Sequence, residues 1–264
     1  MQMKKSGKVY HLNLNKDQIQ GAKYVLLPGD PFRCEAIAKK LDIQSKQIAW
    51  KREYRTWLSK VNDKSILTTS TGIGGASTSI AIDELAQLGV KVFIRVGTTG
   101  AIRKKINIGD VIITSGAVRF DGTSTQYAPI EYPAVAHYRV INALVEAAHQ
   151  QNVPYYVGIA ASCATFYPGQ ERKESFLGFV PRRFQGLTDE LRRLNVLCYE
   201  MEASVVLTLC SVMRLMGGCV LGVILNRYKD GEKIALEDLE KGEENAIKVA
   251  VRAIKILLSS KNGD

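Results

Sequence analysis

Hydrophobic positions along the chain gather into short runs, at residues 24–27, 65–69, 92–96, 111–114, 155–161 and 219–225. Near-continuous Val- and Ile-rich runs of this length predict strands buried on both faces, as in a mainly parallel sheet. Between them the apolar period lengthens to that of a helix. A helix is predicted over 31–41, after Asp30 and with Pro31 at the first helical position. Others are predicted over 77–88, stopped by Gly89, over 140–151, over 203–216 and, as an amphipathic C-terminal helix, over 236–258. Strand and helix alternate, which means an α/β fold. No linker, repeat or low-complexity segment divides the chain, so residues 1–264 are expected to form one domain: a central mixed, largely parallel sheet flanked by helices.

Composition removes several classes of protein. With 264 residues, 46% of them hydrophobic and 23% charged, the chain can bury a sizeable core without a disulfide staple. The charged segment 1–8 lacks the apolar stretch of a secretory signal. The longest apolar helix-like run, 203–217, is broken by Thr208, Ser211 and Arg214 and is too short to span a bilayer. Five scattered cysteines, with no Cys-x-x-Cys pair, suit a reducing, cytoplasmic setting. Three histidines without a His-Glu-x-x-His pattern argue against a transition-metal site. The net charge of +10 raises the question of nucleic acid, but the basic residues fall in short separate groups such as Lys4-Lys5, Arg103-Lys104-Lys105 and Arg192-Arg193. None is interleaved with aromatics. Most read as solvated faces, some as attractors of a small anionic substrate. Neither a nucleic-acid nor a membrane partner is expected.

Ligands of open α/β sheets bind outside the carboxyl ends of the strands. Reading only those ends gives Gly29-Asp30-Pro31-Phe32-Arg33, Thr71-Gly72-Ile73-Gly74-Gly75, Arg95-Val96-Gly97-Thr98-Thr99-Gly100, Phe166-Tyr167-Pro168-Gly169-Gln170-Glu171-Arg172 and Asn226-Arg227. A backbone amide at Gly29 and the Arg33 guanidinium one helical turn later can share a phosphate, although a plain turn with a surface arginine has the same sequence. Arg95 lies inside an apolar strand, where an unpaired charge is costly, so it meets either a structural acid or an anionic ligand. Thr98 and Thr99, between Gly97 and Gly100, offer hydroxyls and exposed backbone donors beside it, although the same four residues can be simply a tight turn.

Phe166, Gln170 and Arg172 combine a stacking face, an amide and a rigid fork of donors, the parts that grip a flat, oxygen-rich heterocycle. Taken alone, the segment is more readily a loop with solvated polar side chains. Tyr199-Glu200-Met201-Glu202 precedes the apolar helix; its acids either suit the helix dipole or offer acceptors to sugar hydroxyls. Gly72-Ile73-Gly74-Gly75 lacks dinucleotide-loop spacing, and no P-loop exists anywhere.

Together and in order, these motifs resemble the nucleoside phosphorylase-I family, and within it the uridine-specific bacterial branch, over roughly residues 11–258. The resemblance implies reversible phosphorolysis of uridine to uracil and ribose 1-phosphate, with phosphate as co-substrate and no organic cofactor. By that likeness Gly29, Arg33, Arg95 and Thr98 form a phosphate site completed by Arg52 of a neighbouring subunit. Met201 and Glu202, with Thr98 and the neighbour's His11, hold the ribose. Phe166, Gln170 and Arg172 hold uracil, with Thr99, Gly100, Glu200, Ile224 and Leu225 beside it and Arg227 acting on the far carbonyl. Arg95, Gln170, Arg172 and Glu202 carry the catalytic burden. Glu53, Ile73 and Ser77 resemble ligands of a monovalent cation, usually potassium, at a dimer interface. The family implies a homo-oligomer, a hexamer built as a trimer of dimers with shared sites.

Asn226 stands where purine-specific relatives carry a proton-donating Asp. One departure is Cys163-Ala164-Thr165, where family members often carry an acid, which questions the rigidity of the following loop. Rival readings are a purine nucleoside phosphorylase or nucleoside hydrolase on the same fold, a basic nucleic-acid-binding protein, and a catalytically retired relative.

Overall fold

The computed structural model describes residues 7–229, 231 and 235–260; residues 1–6, with the Lys4-Lys5 pair, lie outside the described residues. The first apolar run forms β1 (Tyr24–Leu27), followed by α1 (Arg33–Leu41). Three strands then run antiparallel: β2 (Lys46–Lys51), β3 (Tyr54–Val61) and β4 (Lys64–Thr69). α2 (Gly75–Leu88) leads to β5 (Val92–Ala101), β6 (Val111–Phe120), the short β7 (Ala134–Val135) and α3 (Tyr138–Gln150). β8 (Tyr155–Cys163), α4 (Leu187–Arg193), β9 (Cys198–Glu200), α5 (Ala203–Val212), β10 (Met216–Asn226) and α6 (Leu236–Ser259) complete the order.

The α/β architecture and mixed sheet are as expected, but the sheet is not simply open. β5 pairs with both β9 and β10, and β10, β6, β8 and β9 pair in succession, so these five strands close into a ring. Small and branched side chains fill it, among them Ala101, Ile112, Ala160, Cys219 and Leu221. β1, β4, β3 and β2 continue outward from β5. α1, α3 and α6 cover one face of the sheet, and α2, α5 and the N-terminal segment cover the other. Among the described residues, no helix is long and apolar enough to cross a membrane.

The path of β5 creates the site. Its first half pairs with β1 as far as Arg95, and its end pairs with β9 from Gly100. Between those points β5 has left one neighbour and not yet met the next, so residues 96–99 face an opening. Residues 97–100 are therefore strand, which removes the alternative of a simple tight turn. On the other side β10 stays paired throughout, with a register shift between Val223 and Leu225. The bulge re-aims Ile224 and Leu225, and both line the cavity described below.

Helix boundaries follow local chemistry. α5 stops at Val212 rather than at Met216 because Arg214 adopts a left-handed backbone (φ 57°) and the Leu215 amide turns back to the Cys210 carbonyl at 2.7 Å. This is a Schellman-type ending, and it frees Met216 to begin β10. α6 buries Ala246, Ile247, Val249, Ala250, Ile254 and Leu257, each large side chain contributing about 1.5–3 kcal/mol.

α6 lies directly on β10. A Cβ on Gly222 would sit 1.9 Å from the Gly242 carbonyl oxygen, and one on Gly242 would sit 2.6 Å from that of Val223. Backbone thus packs on backbone, and no larger residue fits either position. Gly222→Ala is expected to destabilise the fold by about 2–3 kcal/mol or more through overpacking. Its urea-unfolding midpoint should fall clearly; an unchanged midpoint would contradict the close crossing.

Candidate active site

The strand ends open on a cavity of about 710 Å³. The four residues expected to hold phosphate from within one chain, Gly29, Arg33, Arg95 and Thr98, all line it. So do Met201 and Glu202 of the sugar set, and Thr99, Gly100, Phe166, Gln170, Arg172, Glu200, Ile224 and Leu225 of the base set.

Arg95 is the centre of the arrangement. It is 5% exposed, and two acids grip it: Nε lies 3.1 Å from Glu200 Oε2, and Nη2 lies 2.5 Å from Glu202 Oε2. Burial works against its charge, but Glu202 and then Glu200 outweigh that and hold the guanidinium above its ordinary pKa. Burial also pushes the Glu202 carboxyl up, with Arg95 opposing. Space for this fork comes from Gly97, two residues along on the same face, where a Cβ would lie 2.8 Å from Arg95 Nη2. Of the two readings for Arg95, the structure shows the structural acids, and they fix its plane at the cavity lining.

Glu200 is less available than expected. Its Oε2 also accepts the amides of Glu202 and Ala203, both at 2.8 Å, and Oε1 accepts from Ser162 Oγ. It anchors the first turn of α5 and Arg95 rather than offering open lone pairs to a base. Glu202, at the N-cap of α5, accepts the Gly74 amide at 2.5 Å. Thr99 is similarly occupied, donating to the Tyr199 carbonyl at 2.6 Å. Arg33 has a partner that sequence reasoning missed. Its Nε lies 2.8 Å from Glu243 Oε1, a residue next to the Gly242 crossing on α6.

Another part of the cavity lining is built by the segment after β8. Pro168–Gln170 forms a 3₁₀ turn, and Glu171 follows in a left-handed conformation (φ 55°). The Arg172 guanidinium lies 4.1 Å from the Phe166 ring centroid, and its Nη2 is 3.4 Å from Gln170 Oε1. Burial and then Arg227 push Arg172 down to about 10. Thr165 resolves the departure noted before this loop: its Oγ1 accepts the Gly169 amide at 2.9 Å, so a hydroxyl supplies the acceptor that steadies the turn. Glu171 was also missed. It accepts the Gly186 amide at 2.5 Å and the Thr188 amide at 2.7 Å, tying the loop to the start of α4. Only its place between Gln170 and Arg172 could have flagged it.

Arg227 does not line the cavity. Its Nη1 donates to the Gln170 carbonyl at 2.8 Å and its guanidinium lies 5.1 Å from the Tyr199 ring centroid, so it props the loop from behind. Asn226 also faces away: its Nδ2 donates to the carbonyls of Arg103 and Ile106, and its Oδ1 accepts the Tyr228 amide. It is fully buried, and its hydrogen-bonding groups are spent within the fold.

His11 and Arg52 lie outside their own chain's cavity lining. The Glu84 carboxylate, a further missed residue, accepts the amides of His11 and Leu12 and lies 2.7 Å from His11 Nδ1. Arg52 occupies the exposed turn between β2 and β3 with φ 55°. Glu53, Ile73 and Ser77 do come together. Ser77 Oγ is 3.3 Å from the Ile73 carbonyl, and both Glu53 and Ser77 flank Gly72. Carboxylate, carbonyl and hydroxyl oxygens are the donor types a hard monovalent cation takes. Among the described residues, no group of three or more His, Cys, Asp or Glu is placed to hold a metal ion.

The sequence matches a known class. The sequence model of the phosphorylase superfamily covers residues 23–259, and the chain belongs to that superfamily. Within it, the chain is 48% identical over 252 residues to the uridine phosphorylase of Haemophilus influenzae, covering 95% of this chain and 99% of that protein. It is 46% identical over 250 residues to the uridine phosphorylase of Escherichia coli, covering 95% and 98%, and 32% identical to the guanosine phosphorylase of Halorubrum lacusprofundi, covering 88% and 92%.

The Glu171 anchor gives a pH prediction. Burial raises its pKa, but the Thr188 and Gly186 hydrogen bonds outweigh that and hold it below the ordinary 4.5. Its contribution is therefore full above 4.5 and declines as pH falls through the lowered value. Amide exchange at Gly186 and Thr188, corrected for intrinsic rates, should accelerate on acidification below that range. In Glu171→Gln it should be fast already at neutral pH; unchanged protection in the variant would remove Glu171 as the anchor.

Proposed function

We propose that this chain is a uridine phosphorylase, a pentosyltransferase that cleaves uridine reversibly with phosphate to uracil and ribose 1-phosphate. The observation that carries this reading is one cavity lined both by Arg33, Arg95 and Thr98 and by Phe166, Gln170 and Arg172. The 46–48% identity to uridine phosphorylases over nearly the whole chain supports it. Against hydrolysis, water requires no pair of arginines at the cavity wall. Against a purine base, Asn226 is a neutral amide already engaged with Arg103 and Ile106.

In this mechanism phosphate lies beneath C1′ of the ribose, held by the Gly29 amide, Arg33, Arg95 and Thr98. Glu202 accepts from the sugar hydroxyls and Met201 packs against the ring. As the glycosidic bond stretches toward an oxocarbenium-like state, negative charge moves onto the uracil ring. Arg172 is preset to receive it: its cation is destabilised by burial and by Arg227, so an arriving anion is favoured more in the transition state than in the ground state. The Gln170 amide is oriented by Arg172 and its backbone is fixed by Arg227, so neither donor needs to reorganise during reaction. No covalent nucleophile is required.

The finer reading extends to assembly. We infer a homo-oligomer, a hexamer built as a trimer of dimers, in which Arg52 and His11 of one copy complete a neighbour's phosphate and ribose sites. Support comes from the absence of both from their own chain's lining. Charge points the same way: Arg33 and Arg95 face three carboxylates, Glu243, Glu200 and Glu202, so a phosphate dianion needs a further cation. Glu53, Ile73 and Ser77 would hold a potassium-like ion, a fit supported by their all-oxygen donor set. Five buried, unpaired cysteines favour a cytoplasmic setting.

Two assays test this reading. Spectrophotometry should show uridine turned over only when phosphate is present, and inosine left intact. Turnover of inosine alone, or turnover indifferent to phosphate, would refute it. Arg172→Ala should lower turnover about 10²–10³-fold, with the phosphate KM little changed. A variant that only raised the phosphate requirement would show that Arg172 belongs with the phosphate residues instead.

A further inference from the structure

The two acids that grip Arg95 are themselves held by a buried chain of hydroxyls that lies behind the cavity. Ser162, near the end of β8 and fully buried, donates from Oγ to Glu200 Oε1 and accepts the Ser204 amide of α5 at 2.8 Å. Ser204 Oγ donates onward to Asp121 Oδ2 at 2.6 Å. Asp121 is 5% exposed, and its oxygens also receive the amides of Thr123 and Ser124 and the Ser124 hydroxyl, at 2.8, 2.6 and 2.7 Å. Thr123 packs on Gly75, where a Cβ would lie 2.9 Å from Thr123 Oγ1. The adjoining Gly74 amide donates to Glu202. The contacts therefore close on themselves, leaving Arg95 through Glu200 and returning to it through Glu202.

We propose that Ser162 and Asp121 are positioning residues for phosphate binding: they fix the plane of the Arg95 guanidinium by holding the two acids that bracket it. This rests on the reading of Arg95 as a phosphate ligand. A guanidinium held at Nε and Nη2 by two separate carboxylates has one orientation; with Glu200 loosened it pivots about Glu202. Glu200 Oε2 is committed to Arg95 and two amides, whereas Oε1 is steadied by Ser162. Removing that hydroxyl leaves a buried carboxylate oxygen and the Ser204 amide without their partner, and the acid shifts to recover one. Asp121 acts one step further back, by setting where α5 and the start of α2 meet.

Direct titration of phosphate into the protein, paired with steady-state kinetics, tests this. Ser162→Ala is expected to weaken phosphate binding and raise the phosphate KM by about 10-fold or more, with the uridine KM changed less than about 3-fold. Ser162→Thr keeps the hydroxyl and should restore most of the affinity. Asp121→Asn should shift the same ratio in the same direction. Ser204→Ala, which keeps its amide but loses the link to Asp121, carries the test if Ser162→Ala does not fold. Cys210→Ala, a core change beside Gly217, should lower the thermal midpoint without altering the ratio of the two KM values. Equal rises in both KM values with Ser162→Ala, or unchanged phosphate affinity, would overturn the proposal. A wild-type protein that turned over uridine without binding phosphate would instead overturn the reading beneath it, before any variant is compared.

Discussion

A buried guanidinium bracketed by two buried carboxylates is the constraint on which the rest of the site depends. Arg95, Glu200 and Glu202 are each 5% exposed or less, and none could remain charged there alone. Removing one member of such a group strands the others at a cost of about 3–5 kcal/mol. Their mutual grip also does something that stability alone does not require. It holds a cation at the cavity lining in one orientation instead of leaving it a mobile side chain.

That grip is possible because the strands leave room for it. β5 parts from β1 after Arg95 and joins β9 at Gly100, and the interval is the mouth of the cavity. Gly97 makes space for the folded-back guanidinium. On the far side of the sheet, the Gly222–Gly242 crossing seats α6 and brings Glu243 to Arg33. The loop after β8 is fixed by different means: Glu171 reaches α4, Arg227 reaches the Gln170 carbonyl, and Thr165 steadies the 3₁₀ turn. Arg95 and the loop that carries Gln170 and Arg172 are thus anchored by largely different contacts, which lets a substitution act on one more than on the other.

Much of this was legible in the sequence, for a physical reason. Strands buried on both faces announce themselves as apolar runs, and β1, β8 and β10 lie where such runs predict. β2 and β3 were not foreseen because charged residues such as Lys46, Lys51, Arg55 and Lys60 interrupt them, and β9 is only three residues long. Residues facing the cavity carry chemistry at strand ends and could be read in order. Their supports could not. Glu84, Glu171, Glu243 and Ser162 are ordinary polar residues until the fold brings them to His11, to α4, to Arg33 and to Glu200. The same limit applies in reverse to Asn226 and Arg227, whose place after a core strand suggested the pocket, while the bulge at Ile224 leaves them facing other backbone.

The central claim is that Arg95, fixed by its two acids, presents its remaining edge to phosphate. A crystal structure of the protein with phosphate and uracil measures this directly. A phosphate oxygen is expected within about 3.2 Å of the Arg95 guanidinium while its contacts to Glu200 persist. Phosphate bound elsewhere in the cavity, with Arg95 still wholly engaged by Glu200 and Glu202, would contradict it.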